Sequence, residues 1–181
     1  MKLWGALSNA VIGWVMILRG DDSWREHFKL TWPGLATSLV IFLFAAFLAI
    51  ALASSYQGMP GGLAIIDALL AQSIWIIAVI IGMRVTAAIL KTKIRNLDVL
   101  IPAIYLLVGY LAVGSLLNMA FPIVVLLLTI ALLYPMVQLG RMAASWPLPN
   151  AIGFAVLTVV LLVGLPQALY IVTNASALPP T

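Results

Sequence analysis

Chemistry inside a bilayer starts from polar side chains, because an apolar solvent makes them expensive to hold there. Few residues of this chain qualify. Asp67 stands in a long apolar run, with Gln72 and Ser73 a turn or two further along. A carboxyl group at depth beside an amide and a hydroxyl takes up a proton or coordinates a cation, which is the chemistry of a transport path. The competing reading places Asp67 about one turn from the helix start, where it reaches the interface, caps the helix and meets the positive end of the dipole. A third reading gives it to a contact with a partner protein. Arg84 lies at the other end of the same run, and its stem can follow lipid while the guanidinium snorkels to phosphates. Asp67, Gln72 and Arg84 are therefore the candidate intramembrane polar residues. Tyr105, Tyr110, Asn118, Gln138 and Gln167 are further side chains able to line an interior path.

Enzymatic chemistry has little to work with. His27 is the one histidine and it belongs to a polar stretch outside the apolar runs, so neither a histidine metal cluster nor a triad assembles around it. With no cysteine there is no disulfide, thiolate metal site or cysteine nucleophile. An enzyme needs a nucleophile or general base with a partner at defined geometry. The apolar runs offer one acid and scattered hydroxyls. No catalytic residue, cofactor or metal is expected, and the chain reads as non-enzymatic.

The elements that must position these residues follow from composition. Of 181 residues, 65% are hydrophobic and 8% charged, against about a quarter charged in an ordinary soluble domain. Such a chain is solvated by lipid. About 20 apolar residues cross the ~30 Å hydrocarbon core, and this predicts an all-α, polytopic transmembrane bundle of five spans, over 33–54, 63–83, 98–117, 121–138 and 150–172. Pro33 suits the first turn of its helix, where a missing N–H is harmless. Ser54–Gly62 is rich in turn residues, Asn118–Pro122 divides a long apolar stretch into an antiparallel pair, and Ser145–Asn150 is a further break. Residues 174–181 form a short tail. Pro102, Pro135 and Pro166 fall within or near spans, where each removes a backbone hydrogen bond and can kink its helix.

Orientation follows from the basic residues. Lys2, Arg19, Arg25, Lys29, Arg84, Lys91, Lys93, Arg95 and Arg141 all fall on one side of a five-span layout that begins at residue 33, so that side is expected in the cytoplasm and the carboxyl terminus outside. Apart from Lys2 and Arg84, these are the residues expected to meet anionic lipid headgroups. A net charge of +4 is then a topology signal and does not point to nucleic acid.

Residues 1–32 precede the first span. Leu3–Leu18 imitates the apolar part of a signal peptide, but Arg19-Gly20-Asp21-Asp22 follows in place of a small-residue cleavage site, so the segment is expected to be retained. Trp4, Leu7, Val11, Trp14 and Leu18 share one stripe, with Gly5, Ser8, Asn9, Gly13 and Met16 away from it. That pattern predicts an amphipathic interfacial helix, with a sixth span as the alternative. Ser23-Trp24-Arg25-Glu26 reads as a capping box with Ser23 as N-cap, opening a short helix that places Trp24 and Phe28 on one face. On the first span, Ala45, Ala49 and Ala53 form a small-residue stripe suited to close helix packing.

An amphipathic cytoplasmic lead-in, five closely spaced spans and a basic inner loop, with Ile17-Leu18-Arg19-Gly20-Asp21-Asp22-Ser23-Trp24 ahead of the first span, resemble the Yip1-like family of membrane proteins, its bacterial branch above all. The resemblance implies an adaptor or scaffold working through protein and lipid partners, without catalysis. The functional expectation is an accessory subunit or oligomeric scaffold of a bacterial inner-membrane complex, with a protein partner or a second copy beside it. The rival expectation is a small transporter or channel with Asp67 and Gln72 near its path.

Overall fold

The computed structural model describes residues 3–58 and 61–175. Among these the chain forms α1 (Leu3–Arg19), a 3-10 helix (Asp22–His27), α2 (Trp32–Gln57), α3 (Gly62–Leu90), α4 (Asn96–Ala120), α5 (Pro122–Ala131), α6 (Leu133–Ala143) and α7 (Leu148–Ala175), with no strand. Helix α2, α3, α4 and α7, together with the α5–α6 pair, are the five segments long and apolar enough to cross a membrane. The fold is the all-α membrane bundle expected from composition. Its helices run slightly past the expected limits, most of all α3, which continues to Leu90. The expected tail lies, from residue 176 on, outside the described residues.

Local sequence explains the breaks. Thr31 caps α2, its hydroxyl accepting from the Gly34 N–H at 3.3 Å, and Pro33 occupies the first turn. Gly34 is required there because a Cβ would run into the Lys29 carbonyl. A single residue, Phe121, joins α4 to α5, its N–H donating to the Leu117 carbonyl at 2.7 Å while Pro122 opens the next helix. The fourth span is interrupted at Leu132. Pro135 provides the reason, since its ring withholds the N–H that the Ala131 carbonyl would have accepted. Pro102 and Pro166, by contrast, sit inside continuous helices.

Helix α4 is the centre of the bundle, 56% of its span window being buried against 22%, 11%, 22% and 22% for the others. It packs along α2, while α3 packs along α7 and α7 along α6. Small residues set these contacts. Ala78, Ala151 and Ala155 are fully buried, Gly82 lies against Thr158, and Gly140 against Ala151, Phe154 and Trp146. Lipid tails are as apolar as leucine, so helices associate in a membrane through such close packing and through polar contacts.

The buried residues are unevenly distributed. In α2 they run from Gly34 to Ala46, in α3 from Ala78 to Thr86, in α6 from Met136 to Gly140 and in α7 from Ala151 to Leu162. Nearly all of these lie in the halves nearer the basic loops, called here the basic end, with Ala46 and Leu162 just past the middle of their helices. Toward the far end the buried residues among those described are Leu111 and Gly114 of α4. The bundle is closed at the basic end and splayed at the other.

Helix α1 lies against α4, α6 and the 3-10 helix. Its protein face is Ala6, Ala10, Gly13, Trp14 and Ile17, and the Trp14 indole donates to the Pro102 carbonyl at 3.0 Å. Of the expected stripe, Trp14 is buried, Leu7 is half-buried, and Trp4, Val11 and Leu18 are exposed on the outward side. Small side chains win the protein face, since Gly13 lets the Phe28 ring approach to where a Cβ would stand. The large apolar ones are left outward for lipid. The capping expectation also shifts by two residues. Asp21 is the N-cap of the 3-10 helix and accepts from both the N–H and the hydroxyl of Ser23. Trp24 and Phe28 do share a buried face, their rings edge to face at 6.0 Å.

Candidate binding cavity and the closed basic end

Toward the far end, α2, α3, α4 and α5 line a partly open cavity of about 520 Å³. Gln72 and Trp75 project into it from α3, one turn apart on the same face. Tyr110, Gly114 and Asn118 do so from α4 at the four-residue spacing of one helix stripe, and Ala49 and Ala53 form the α2 wall. At 1.5 Å rise per residue, Gln72 stands about 15 Å below the far end of α3 and Tyr110 about as far below the end of α4. Both mark the floor of the cavity, near the middle of a ~30 Å hydrocarbon layer. Asn118 marks its mouth.

The hydrogen bonding of the lining can be followed group by group. Thr129 donates its hydroxyl proton to the Val125 carbonyl at 2.8 Å. The 2.8 Å contact between Tyr110 and Thr129 is therefore a bond from the phenol to Thr129 Oγ1. Ser115 donates to the Leu111 carbonyl at 2.6 Å. Trp75 and Tyr110 meet edge to face, with centroids 5.3 Å apart and planes at 67°. Gln72 Oε1 is buried and has no hydrogen-bond partner. Leaving such a group unsatisfied costs about 1–3 kcal/mol. Among the described residues, none that lines the cavity is charged.

Asp67 is exposed and does not line the cavity. The two residues are five positions apart, and at 100° per residue that sets them about 140° apart around the helix, on different faces. Ser73, the third member of the expected group, donates its hydroxyl to the Leu69 carbonyl at 2.8 Å. Sequence order brought Asp67 and Gln72 together, and helix geometry separates them. Arg84 is exposed near the basic end of α3. The Ala45, Ala49 and Ala53 stripe is half-buried at Ala45 and Ala49 and exposed at Ala53, while the fully buried face of α2 is Ser38, Phe42 and Ala46, one position over.

Asp98 went unnoticed in the sequence except as the start of a span, and it organises the basic end. It lies in the first turn of α4, where a negative charge meets the helix dipole favourably. Its side chain is 7% exposed and faces Arg25 at 3.8 Å and Arg95 at 3.7 Å. The Arg25 guanidinium stacks over the Trp24 ring at 4.7 Å and donates to the Met142 carbonyl at 3.4 Å. Arg25 thus ties the lead-in to α4 and α6 rather than standing free for lipid. Two further ties close this end: the Trp146 indole donates to the Thr92 hydroxyl at 3.3 Å, and Tyr134 to the Leu18 carbonyl at 3.4 Å. Lys91 caps α3 in the left-handed conformation (φ 52°). Arg19, Lys29, Lys93 and Arg141 are exposed. Lys29 and His27 border a smaller pocket between α1, α2 and α4 of about 210 Å³. Among the described residues no group of three or more His, Cys, Asp or Glu side chains is placed to hold a metal ion.

No family model, curated protein or solved structure matches the chain.

Proposed function

We propose that this integral membrane protein is a non-enzymatic component of a membrane assembly, an accessory subunit or oligomeric scaffold that acts through protein and lipid contacts. The uneven core carries the reading. One end of the bundle is sealed by buried side chains and by ties between elements, while beyond Ala46 of α2, Ala78 of α3 and Leu162 of α7, and along α5, the far parts of the helices hold no buried position among the described residues. A membrane helix gains stability from close packing with another helix, and unused packing faces are where a partner helix or a second copy adds contacts. Exposed Leu126, Leu127 and Ile130 on α5 offer such a face.

The basic end belongs in the cytoplasm on the positive-inside argument, facing anionic headgroups, with the bacterial inner membrane as the setting. The order of lead-in and spans is also that of the Yip1-like resemblance, which favours an adaptor role. The rival, a transporter with Gln72 on its path, draws support from the cavity. Against it, the floor is underlain by buried Phe42, Ala46, Ala78, Val79 and Leu107, and Asp67 stands elsewhere.

The test is the native mass of the particle extracted in lipid nanodiscs, with its components identified by mass spectrometry. A stoichiometric second protein or a defined homo-oligomer is the expected result. A homogeneous monomer overturns the reading.

A further inference from the structure

We propose that the far-end cavity is a binding site for a neutral sugar ring, either a free hexose or the sugar headgroup of a glycolipid. The inference goes beyond the assembly role, since it requires no protein partner and is read by a separate measurement.

Charge decides the class of ligand first. An ion drawn into this cavity would leave water without meeting an opposite charge, because none of the lining residues is charged. A purely apolar ligand would fill the space but leave the polar groups that line it, the amides of Gln72 and Asn118, without a partner in the ligand. What fits is an uncharged molecule carrying several hydroxyl groups. Each hydroxyl both donates and accepts, which matches the paired oxygen and NH₂ of a side-chain amide. Gln72 at the floor and Asn118 at the mouth supply two such amides.

The aromatic pair narrows the class further. Trp75 and Tyr110 line the floor beside Gln72. The negative face of an aromatic ring attracts the weakly positive C–H face of a pyranose, as it attracts the positive edge of another ring. Tyr110 spends its proton on Thr129, so its oxygen remains an acceptor for a ligand hydroxyl. A volume of about 520 Å³ lies within the usual range of roughly 300–1,000 Å³ for small-molecule sites.

The experiment uses the full chain in nanodiscs and an alkyl glucoside bearing a diazirine in its alkyl chain, with alkyl phosphocholine and alkyl sulfate analogues of equal length as comparisons. Saturable labelling by the glucoside, mapped to α3 and α4, is expected to exceed that by either charged analogue at least 10-fold. Competition by methyl glucoside indicates a free sugar as the natural source. Competition by a diacyl glucoside alone indicates a lipid headgroup. Gln72→Leu should reduce labelling at least 10-fold, and Ala53→Phe, which narrows the mouth, should do the same. Asp67→Asn, outside the cavity, should leave it unchanged. Unaltered thermal unfolding of Gln72→Leu shows that the loss is one of binding. Equal labelling by all three probes, no saturable labelling, or an equal loss in Asp67→Asn each overturns the proposal.

Discussion

Gly82 is a point of close approach between α3 and α7, and replacing it with alanine tests how the basic end is held. A Cβ there would overlap Thr158 Oγ1 and stand 3.3 Å from Thr158 Cβ. Threonine is branched at Cβ and stiff at χ1, so it has little freedom to turn aside in a fully buried position. Overpacking of this kind typically destabilises by about 1–3 kcal/mol. The expected loss for Gly82→Ala is about 2 kcal/mol, roughly 30-fold in the folding constant. Thr158→Ala removes the obstructing oxygen, which is itself buried without a partner. On its own that change loses a methyl group's packing and an unsatisfied hydroxyl, so the expected net effect is below about 1 kcal/mol. The double variant should then recover most of the loss, giving a coupling of about 1–2 kcal/mol. Steric trapping in bicelles, with tags on α3 and α7, measures all four corners of the cycle. Wild-type stability in Gly82→Ala, or a double variant no better than the single, would refute the packing argument.

Asp98→Asn should loosen the basic end by about 1–2 kcal/mol, a value below that of a fully buried pair because Arg25 and Arg95 are 43% and 77% exposed; faster proteolysis between Arg19 and Trp32 is the readout. Asp67→Asn should change thermal stability by less than about 0.5 kcal/mol, since the residue is exposed and outside the cavity. The Ser23 hydroxyl bond, followed by its N–H bond, holds the Asp21 carboxyl below its ordinary value of 3.8. A depressed carboxylate stabilises the folded state above the unfolded pKa, and that contribution is lost as pH falls through the folded value. Ser23→Ala should accordingly raise the Asp21 titration toward 3.8 in carboxyl-carbon NMR.

How far the sequence reached depended on what kind of pattern each feature leaves. The spans were legible because a run of about 20 apolar residues is a one-dimensional signal. The Phe121-Pro122 break was a fainter signal, because a single proline interrupts an otherwise continuous apolar stretch there. Which face of each helix meets protein was harder to read, because in lipid both faces are apolar and hydrophobic periodicity fades. In α1 the Trp4, Val11 and Leu18 side of the expected stripe faces outward, whereas Ala6, Ala10 and Gly13 make the protein face. On α2, Ala45 and Ala49 of the expected small-residue stripe pack half-buried beside the fully buried Ser38, Phe42 and Ala46.

The cavity was legible in part, since Gln72, Tyr110 and Asn118 were expected near an interior path and line it, while Trp75 and Gly114 were not singled out. Gln72 and Trp75 are three apart, and Tyr110, Gly114 and Asn118 are four apart, so each set shares one helix face. Only the placement of α3 beside α4 brings the two sets together. Asp98 was obscured because an acid at the start of a helix is adequately explained by the dipole. Its two arginine partners become visible when the lead-in folds back over α4.

The proposed orientation implies a bundle sealed at a cytoplasmic, basic end and open at its far end. Because the chain has no cysteine, single cysteines can report this without background. An impermeant maleimide should be applied to intact cells carrying Ala46→Cys, Ala53→Cys, Asn118→Cys or Lys93→Cys. Positions 53 and 118 should label from outside, position 93 only after lysis, and position 46 from neither side until the protein is unfolded. Labelling of position 46 as readily as position 53, or of positions 53 and 93 from the same side, would contradict the account.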